Sequence, residues 1–541
     1  MEDFKRLKDP IYGYINIPDK YITDIIDTAP FQRLRRIIQT SYAPLYSSAV
    51  HNRFVHSLGV YYLGNLASYY LGNEIKGKVF SDEDLSRIIE VYRLACLLHD
   101  VGHAPFSHTG EDFYLGEAND YRAIHDLLKE LVNNPEFETD VPDERSEAAA
   151  PHEIMSAVIG LQEYTEFFIN DEEKEFFARC ITGYKYSVIN DESSVKNCFI
   201  AMLNSTIIDV DKLDYLIRDA YVTGFDTVNI DYERLLGALT IIKNGQQYEI
   251  AYYKNAVSII ENVVYAHDAE RKWIQSHPTV LYESYILKNI IFDICSEMEE
   301  GDKKLFSLDT LGWDGQKFNN GLSISLVSDD DIIFLMKNVY NSGLSQEYFE
   351  RKRRRHPIWK SEAEYKTYIL SIIGSGGVLE TFEKAMEDTT KYLLQRSNAW
   401  AIDKEAIERL KKEIDELEKH DFDPTTKEVQ EKDKKNILKI MECLWEYAQE
   451  KKVECDFVIV TASQFNSGFG KADFPEINIV FKNQSNEKIV KFGDIVSSFE
   501  AKERANSNFF YLFYKRSEAG GNCVDAEDMG RRLLGSFIQK S

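Results

Sequence analysis

The sequence predicts a mostly α protein: a helical core, a helical extension and a small C-terminal α+β region. Three observations predict it. Apolar residues recur at helical spacing through most of residues 1–240 and again over 255–300. A highly charged stretch carries Ile407, Leu410, Ile414 and Leu417 at 3-4-3 spacing, the mark of a short coiled-coil or two-helix seam. Beyond it the period changes, and short β-branched and aromatic runs separated by Gly, Asn and Ser read as strands. These shifts divide the chain at 1–240, 241–400 and 401–541.

Taken in order, Ile88–Leu98 (IIEVYRLACLL) is apolar nearly all round and predicts a buried helix. It would deliver His99 and Asp100 at its C-terminal end, with Gly102 supplying a flexible turn. Residues 117–150 are acidic and polar, and NNPEFETDVPDERS reads as a loop between His108 and His152. Ser205–Asp219 predicts a second strong helix. At 3.6 residues per turn, Asp211, Tyr215 and Asp219 share an arc of roughly 80°, with Lys212 close by. Residues 302–330, rich in Gly and Asp, predict irregular structure. Strands are expected at Phe457–Val460, Ile477–Phe481, Ile489–Val490 and Phe509–Tyr514.

Composition narrows the function classes. A net charge of −26 over 541 residues favours solubility and argues against broad nucleic-acid binding. A polyphosphate ligand would need cations concentrated locally, and the one dense basic run is Arg351–Arg355 (RKRRR). MEDFKRLKDP has no apolar run, so secretion is not expected, and no apolar stretch approaches a membrane span. Seven scattered cysteines without a CxxC pair fit reduced thiols in a cytoplasm.

Seven of the eleven histidines fall within about a hundred residues: Arg53 and His56, His99-Asp100, His103, His108 and His152 mark the pattern, which Asp211 closes downstream. Neutral imidazoles next to carboxylates suit a borderline divalent ion. The pattern reads as a metal-dependent phosphohydrolase site.

The segments FQRLRRIIQT (31–40), HNRFVHSLGV (51–60), LLHDVGHAPFSH (97–108), PHE (151–153) and DVDKLDYLIRDAYVTG (209–224) stand in the order and spacing of the HD-domain superfamily. They most closely resemble its deoxynucleoside triphosphate triphosphohydrolase branch, which includes the sterile-alpha-motif/HD-domain dNTPase and bacterial dGTPases. The resemblance covers roughly the first 225 residues. It implies an HD-domain helical core and a divalent metal (Mn, Fe, Zn or Mg) held by His56, His99, Asp100 and Asp211. It also implies catalysis by His103, Glu111 and His152, with His152 as general acid to the ribose 5′ oxygen, Glu111 orienting it and His103 on the α-phosphate. Relatives carry Asp where this chain has Glu111. Arg53 matches an α-phosphate contact and Gln39 a sugar contact; Lys212, Tyr215 and Asp219 match residues holding phosphates and the 3′-hydroxyl. His108 reads as a partner that steadies the turn.

The resemblance further implies a dNTP substrate, a dNTP effector, and a homo-oligomer assembled through bound nucleotide; the composition argues against a membrane or a nucleic-acid partner. Lys254 and the cations Arg353, Arg354 and Arg355 are the expected effector contacts; a solvated helix face is the plainer reading of that basic run. Some bacterial relatives deplete dNTPs to block phage growth. Three departures stand out. The pattern begins almost at Met1, so no sterile-alpha-motif domain is expected ahead of it. Thr40 follows Gln39 where relatives that reject ribonucleotides often carry Leu, which leaves room for a 2′-hydroxyl. The match weakens after residue 240. Two alternatives stay open: an HD phosphodiesterase acting on another nucleotide, and a nucleotide sensor with little turnover.

Overall fold

The computed structural model describes residues 3–115, 121–142, 148–369, 376–394, 402–419, 424–453, 455–463, 467–468, 474–482, 487–496, 508–515 and 524–537. The chain is mostly helical, with small sheets that include the C-terminal strands. It folds into two compact units. One comprises Met1–Arg271, Met298–Phe334 and Ser467–Glu503; the other comprises Lys272–Glu297, Leu335–Asn466 and Arg504–Ser541.

The first unit is built around the Arg53–Ile75 helix, which packs against the Asp82–Leu98 and Val210–Thr223 helices. Asn52 caps its start by accepting the Val55 N–H at 3.3 Å. Gly59 makes the close approach possible: a Cβ there would lie 1.9 Å from Asp214 Oδ1. The next helix begins at Asp82, six residues before the apolar run. Ser81 accepts the Asp84 N–H at 3.1 Å, and Asp82, Glu83 and Asp84 fill the electropositive first turn. The helix ends at Leu98 and hands over His99 and Asp100, as expected.

Three local expectations are corrected. The NNPEFETDVPDERS stretch is not all loop: Pro135–Asp140 is a helix capped by Asn134, with Pro135 where its missing N–H costs nothing, and Tyr121–Val132 before it is helical too. The Ser205–Asp219 helix begins at Val210. Asp209 caps it by accepting the Lys212 N–H at 2.7 Å, and it runs to Thr223, where Gly224 turns left-handed at φ 66°. Gly102 does not supply the turn after Asp100 through a special φ; Phe106 and Ser107 do, at φ 57° and 55°. Gly102 instead lets the turn touch a neighbouring helix, since a Cβ would lie 2.4 Å from the Ser156 nitrogen.

An N-terminal hairpin, Phe4–Asp9 with Gly13–Pro18, precedes the helices. Asp9 Oδ1 closes its turn by accepting the N–H groups of Ile11 and Tyr12. A four-stranded sheet completes the unit. Leu239–Asn244 and Gln247–Tyr253 form a hairpin; Asn478–Lys482 joins it in parallel, and Glu487–Lys491 pairs antiparallel with that strand. Ile242, Ala251 and Val480 pack as its core.

All four expected C-terminal strands form, but they divide between two sheets. The second unit holds Val458–Ser463 and Asn508–Tyr514, with His356–Pro357 on the other edge. Trp359 is fully buried here and donates its indole N–H to the Phe510 carbonyl at 2.6 Å. The Ile407 seam is part of the Lys404–Lys419 helix, which packs on Pro424–Lys451.

The basic run is not a solvated helix face. It is a short 3₁₀ turn, Arg351–Arg353, leading into two buried arginines. Arg354 pairs with Glu283; Arg355 pairs with Glu347 and Asp456 and donates to the Tyr282 hydroxyl at 3.1 Å. The expected effector cations Arg354 and Arg355 are thus committed to internal carboxylates, because a guanidinium this deep needs a counter-charge. The Arg353 side chain lies outside the described residues.

No helix among the described residues is long and apolar enough to cross a membrane. Cys96, Cys180, Cys198, Cys295, Cys443 and Cys455 form no disulfides, and Cys523 lies outside the described residues.

Candidate active site

Three helices of the first unit bring His56, His99 and Asp211 together. His56 sits one turn into Arg53–Ile75, His99 at the end of Asp82–Leu98, and Asp211 in the first turn of Val210–Thr223. His56 Nε2 lies 3.3 Å from His99 Nε2 and 2.9 Å from Asp211 Oδ1, and His99 Nε2 lies 3.7 Å from Asp211 Oδ1. Metal–ligand bonds of ~2.1 Å place neighbouring donors roughly 3.0 Å apart in an octahedron and about 3.4 Å apart in a tetrahedron, so these spacings suit one ion. Asp211 is 38% exposed while His56 is fully buried, which leaves the group open on one side.

The tautomers agree with that use. His56 Nδ1 lies 2.7 Å from Asp214 Oδ2. A carboxylate can only accept, so Nδ1 carries a proton and Nε2 is the nitrogen turned toward Asp211, available to an ion that displaces the proton Asp211 holds on it. His99 Nδ1 donates to the Cys96 carbonyl at 3.0 Å, with the same result. Asp100 stands beside this trio rather than within it. Its Oδ2 takes the Arg53 Nη1 at 2.8 Å and lies 3.6 Å from His56 Nε2, while its buried Oδ1 has no hydrogen-bond partner. Burial works against its charge, but Arg53 holds the carboxyl well below its usual range. A carboxylate oxygen without a hydrogen bond in a buried site, 3.5 Å from His99 Nε2 and 3.4 Å from His103 Nε2, fits a cation.

A second group lies alongside. Glu111 Oε1 is 2.6 Å from His152 Nδ1, 2.8 Å from His108 Nδ1 and 3.7 Å from His103 Nδ1. Only the His108 contact is aligned as a hydrogen bond; both His103 nitrogens and His152 Nδ1 are buried without one. The His103 and His152 rings stack at 4.0 Å. Burial disfavours charge on His152, but Glu111 outweighs it and holds the imidazolium up to about 9. His103 is pushed the other way, first by burial and then by Arg53 and His152, and is neutral. Its Nε2 lies 3.4 Å from Asp100 Oδ1, so His103 stands between the two groups.

The expected substrate residues vary in their engagement. Gln39 Oε1 and Thr40 Oγ1 are buried without a hydrogen-bond partner among the described residues. Arg53 is spent on Asp100, on Ser107 Oγ at 2.9 Å and on the Gln39 carbonyl at 3.4 Å. Lys212 pairs with Asp209 at 2.6 Å and not with Asp219. Asp219 Oδ1 lies 2.8 Å from His51 Nε2, out of line for a hydrogen bond, and burial raises the carboxyl to about 7. Tyr215 is half-buried on the same helix, and Lys254 is exposed.

Sequence reasoning missed the layer behind the site. Asp214 accepts from Tyr12 at 2.8 Å and from Arg218 at 2.9 and 3.0 Å, and Arg218 reaches Asp9 at 3.1 Å. Asp329 accepts the Ile38 N–H at 2.8 Å and the Phe106 N–H at 2.6 Å, tying the Gln39 loop to the His103 turn. Arg33 donates to the carbonyls of Val101, His103 and Val327. The i,i+4 spacing of Asp214 and Arg218 is visible in the sequence; the Asp329 contact has no local signal.

Comparison with known proteins is consistent with this geometry. A family model described as HD domain matches residues 53–160. Uncharacterized protein YwfO of Bacillus subtilis is 28% identical over 304 residues, 56% of this chain and 58% of that one. The deoxynucleoside triphosphate triphosphohydrolase SAMHD1 homolog of Dictyostelium discoideum is 30% identical over 330 residues, 60% of this chain and 54% of that one. The match thus spans little more than half the length of these curated relatives. The crystal structure of a hypothetical protein from Aquifex aeolicus superposes with TM-score 0.54 at 19% identity, covering 99% of this chain and all of that one, a likeness of fold alone. With His56, His99 and the Glu111 cluster on the matching segment and Asp211 beyond it, the chain carries an HD domain and is distantly similar to the SAMHD1-type triphosphohydrolases.

Proposed function

We propose that the chain is a metal-dependent dNTP triphosphohydrolase that releases a deoxynucleoside and triphosphate. One observation carries the reading. A metal-competent trio, His56, His99 and Asp211, lies beside an imidazolium–carboxylate pair, His152 and Glu111, with neutral His103 between them. A divalent ion at the trio, with Asp100 alongside, supplies a Lewis acid to a phosphate oxygen.

The chain's own residues supply the rest. His152, kept charged by Glu111, donates a proton from Nε2 to the departing 5′ oxygen. Glu111 holds the opposite nitrogen and so fixes the ring. His103, neutral and buried, offers a nitrogen to the α-phosphate. Arg53 adds a fixed positive charge to the wall through its pair with Asp100. Gln39 and Thr40 present unsatisfied oxygens to sugar hydroxyls, and Tyr215 and Asp219 line the same side. Lys212 reaches a phosphate only by leaving Asp209. An effector nucleotide bridging subunits of a homo-oligomer belongs to the same proposal, with exposed Lys254 free to take part.

The test is a panel of dNTPs and NTPs with metals varied and products identified. Deoxynucleoside plus intact triphosphate is the expected pair. Release of a nucleoside monophosphate, or no turnover with any metal, refutes the reading. The NTP arm decides whether Thr40 admits a 2′-hydroxyl.

A further inference from the structure

The Glu111 cluster has more donors than an acid–base pair needs. His103, His108, Glu111 and His152 each offer a ligand atom, and these four atoms lie within 4.8 Å of one another. His103 is fully buried, yet neither of its ring nitrogens has a hydrogen-bond partner. His152 Nδ1 is in the same state, although it lies 2.6 Å from Glu111 Oε1. A neutral imidazole in a core ordinarily satisfies at least its N–H. Here two buried nitrogens, His103 Nδ1 and His152 Nδ1, face one carboxylate oxygen without aligned hydrogen bonds while His108 Nδ1 bonds to the same oxygen, which is the geometry of ligands gathered about a centre.

We propose that His103, His108, Glu111 and His152 form a second divalent-cation site, suited to Zn²⁺, whose occupancy switches the hydrolase off. Three imidazoles and one carboxylate are a set that Zn²⁺ takes in tetrahedral geometry. The Glu111 contacts of 2.6, 2.8 and 3.7 Å bracket the donor spacing of about 3.4 Å that this geometry gives. The inhibition follows from proton balance and rests on the hydrolase reading above. The cation takes the place of the protons now held between Glu111 and its histidines and releases them to water. His152 is then a neutral, cation-bound ring with no acidic proton for the leaving oxygen. His108 is the natural gate: it is 69% exposed and is the only member of the four at the surface.

Equilibrium dialysis of the full chain against Zn²⁺ alone counts the sites without reference to turnover. The expected stoichiometry is two ions for wild type, one for Asp211→Ala, one for His108→Ala and none for the double variant, with circular dichroism confirming that each is folded. A wild type that binds one ion, lost in Asp211→Ala and unaffected by His108→Ala, overturns the proposal. In the second arm, Zn²⁺ is added to Mn²⁺-loaded protein while nucleoside release is followed. Inhibition should need at least tenfold more Zn²⁺ in His108→Ala than in wild type, and equal sensitivity would overturn the inhibitory role. If no nucleotide is hydrolysed by wild type at all, the hydrolase reading fails, while the dialysis still decides whether the site exists.

Discussion

Asp214 touches no substrate in the proposed site, yet its replacement should be among the most damaging to metal binding. It fixes the His56 tautomer through a 2.7 Å contact and is itself fully buried. Asp214→Asn keeps the volume but removes the charge, and its amide can offer Nδ1 a donor where an acceptor is needed. Loss of such an orienting carboxylate costs about 10–100-fold in metal affinity, or about 1.4–2.7 kcal/mol. The same change strips Arg218 of its nearest partner, leaving Asp9 at 3.1 Å, and breaking a buried pair costs about 3–5 kcal/mol of stability. The two effects are separable. Asp9→Asn weakens the Arg218 pairing without touching His56, so it should lower the melting temperature and leave Mn²⁺ affinity unchanged by calorimetric titration. Asp214→Asn should lower both. A folded Asp214→Asn protein that binds Mn²⁺ as tightly as wild type refutes the orienting role and, with it, the argument that His56 Nε2 is the metal-facing nitrogen.

Four further outcomes follow from the same contacts. Asp211→Ala removes the charged member of the trio and should abolish metal at that site and turnover while the fold, read by circular dichroism, is kept. His152→Ala should lower kcat by on the order of 10²–10⁴ with the trio's metal content unchanged by elemental analysis. Because the acid must carry its proton, kcat should fall as pH rises through about 9; Glu111→Gln should move that limb down toward the ordinary imidazole value of about 6.5, and an unmoved limb would assign the acid elsewhere. Arg355→Ala should unfold the second unit more easily, by about 3–5 kcal/mol in denaturant melts, since Glu347 would be left buried without its counter-charge; a variant of wild-type stability would refute that structural role.

What was legible in the sequence was whatever is encoded locally or by a repeated pattern. The Asp82–Leu98 helix showed itself by its apolar run, and the four late strands by their change of period. The histidines and aspartates could be grouped because their chemistry is uncommon enough to be counted. Their partners could not. Asp214 and Arg218 look like an ordinary i,i+4 surface pair, and only the Gly59 contact, where a Cβ would collide with Asp214, turns that face inward. The RKRRR run misled for the same reason: five cations in a row read as solvated or ligand-binding, while Glu283, Glu347 and Asp456, which bury two of them, lie up to a hundred residues away. The late strands were found but their sheets were not, because Asn478–Lys482 pairs in parallel with Gln247–Tyr253 across more than two hundred residues. The NNPEFETDVPDERS stretch failed differently: its polar surface hid the Pro135–Asp140 helix, whose cap, Asn134 before Pro135, was in plain view. Local chemistry therefore grouped the histidines and carboxylates, and the neighbouring Cys96 carbonyl turned His99, while long-range packing against Asp214 decided which nitrogen of His56 faces Asp211.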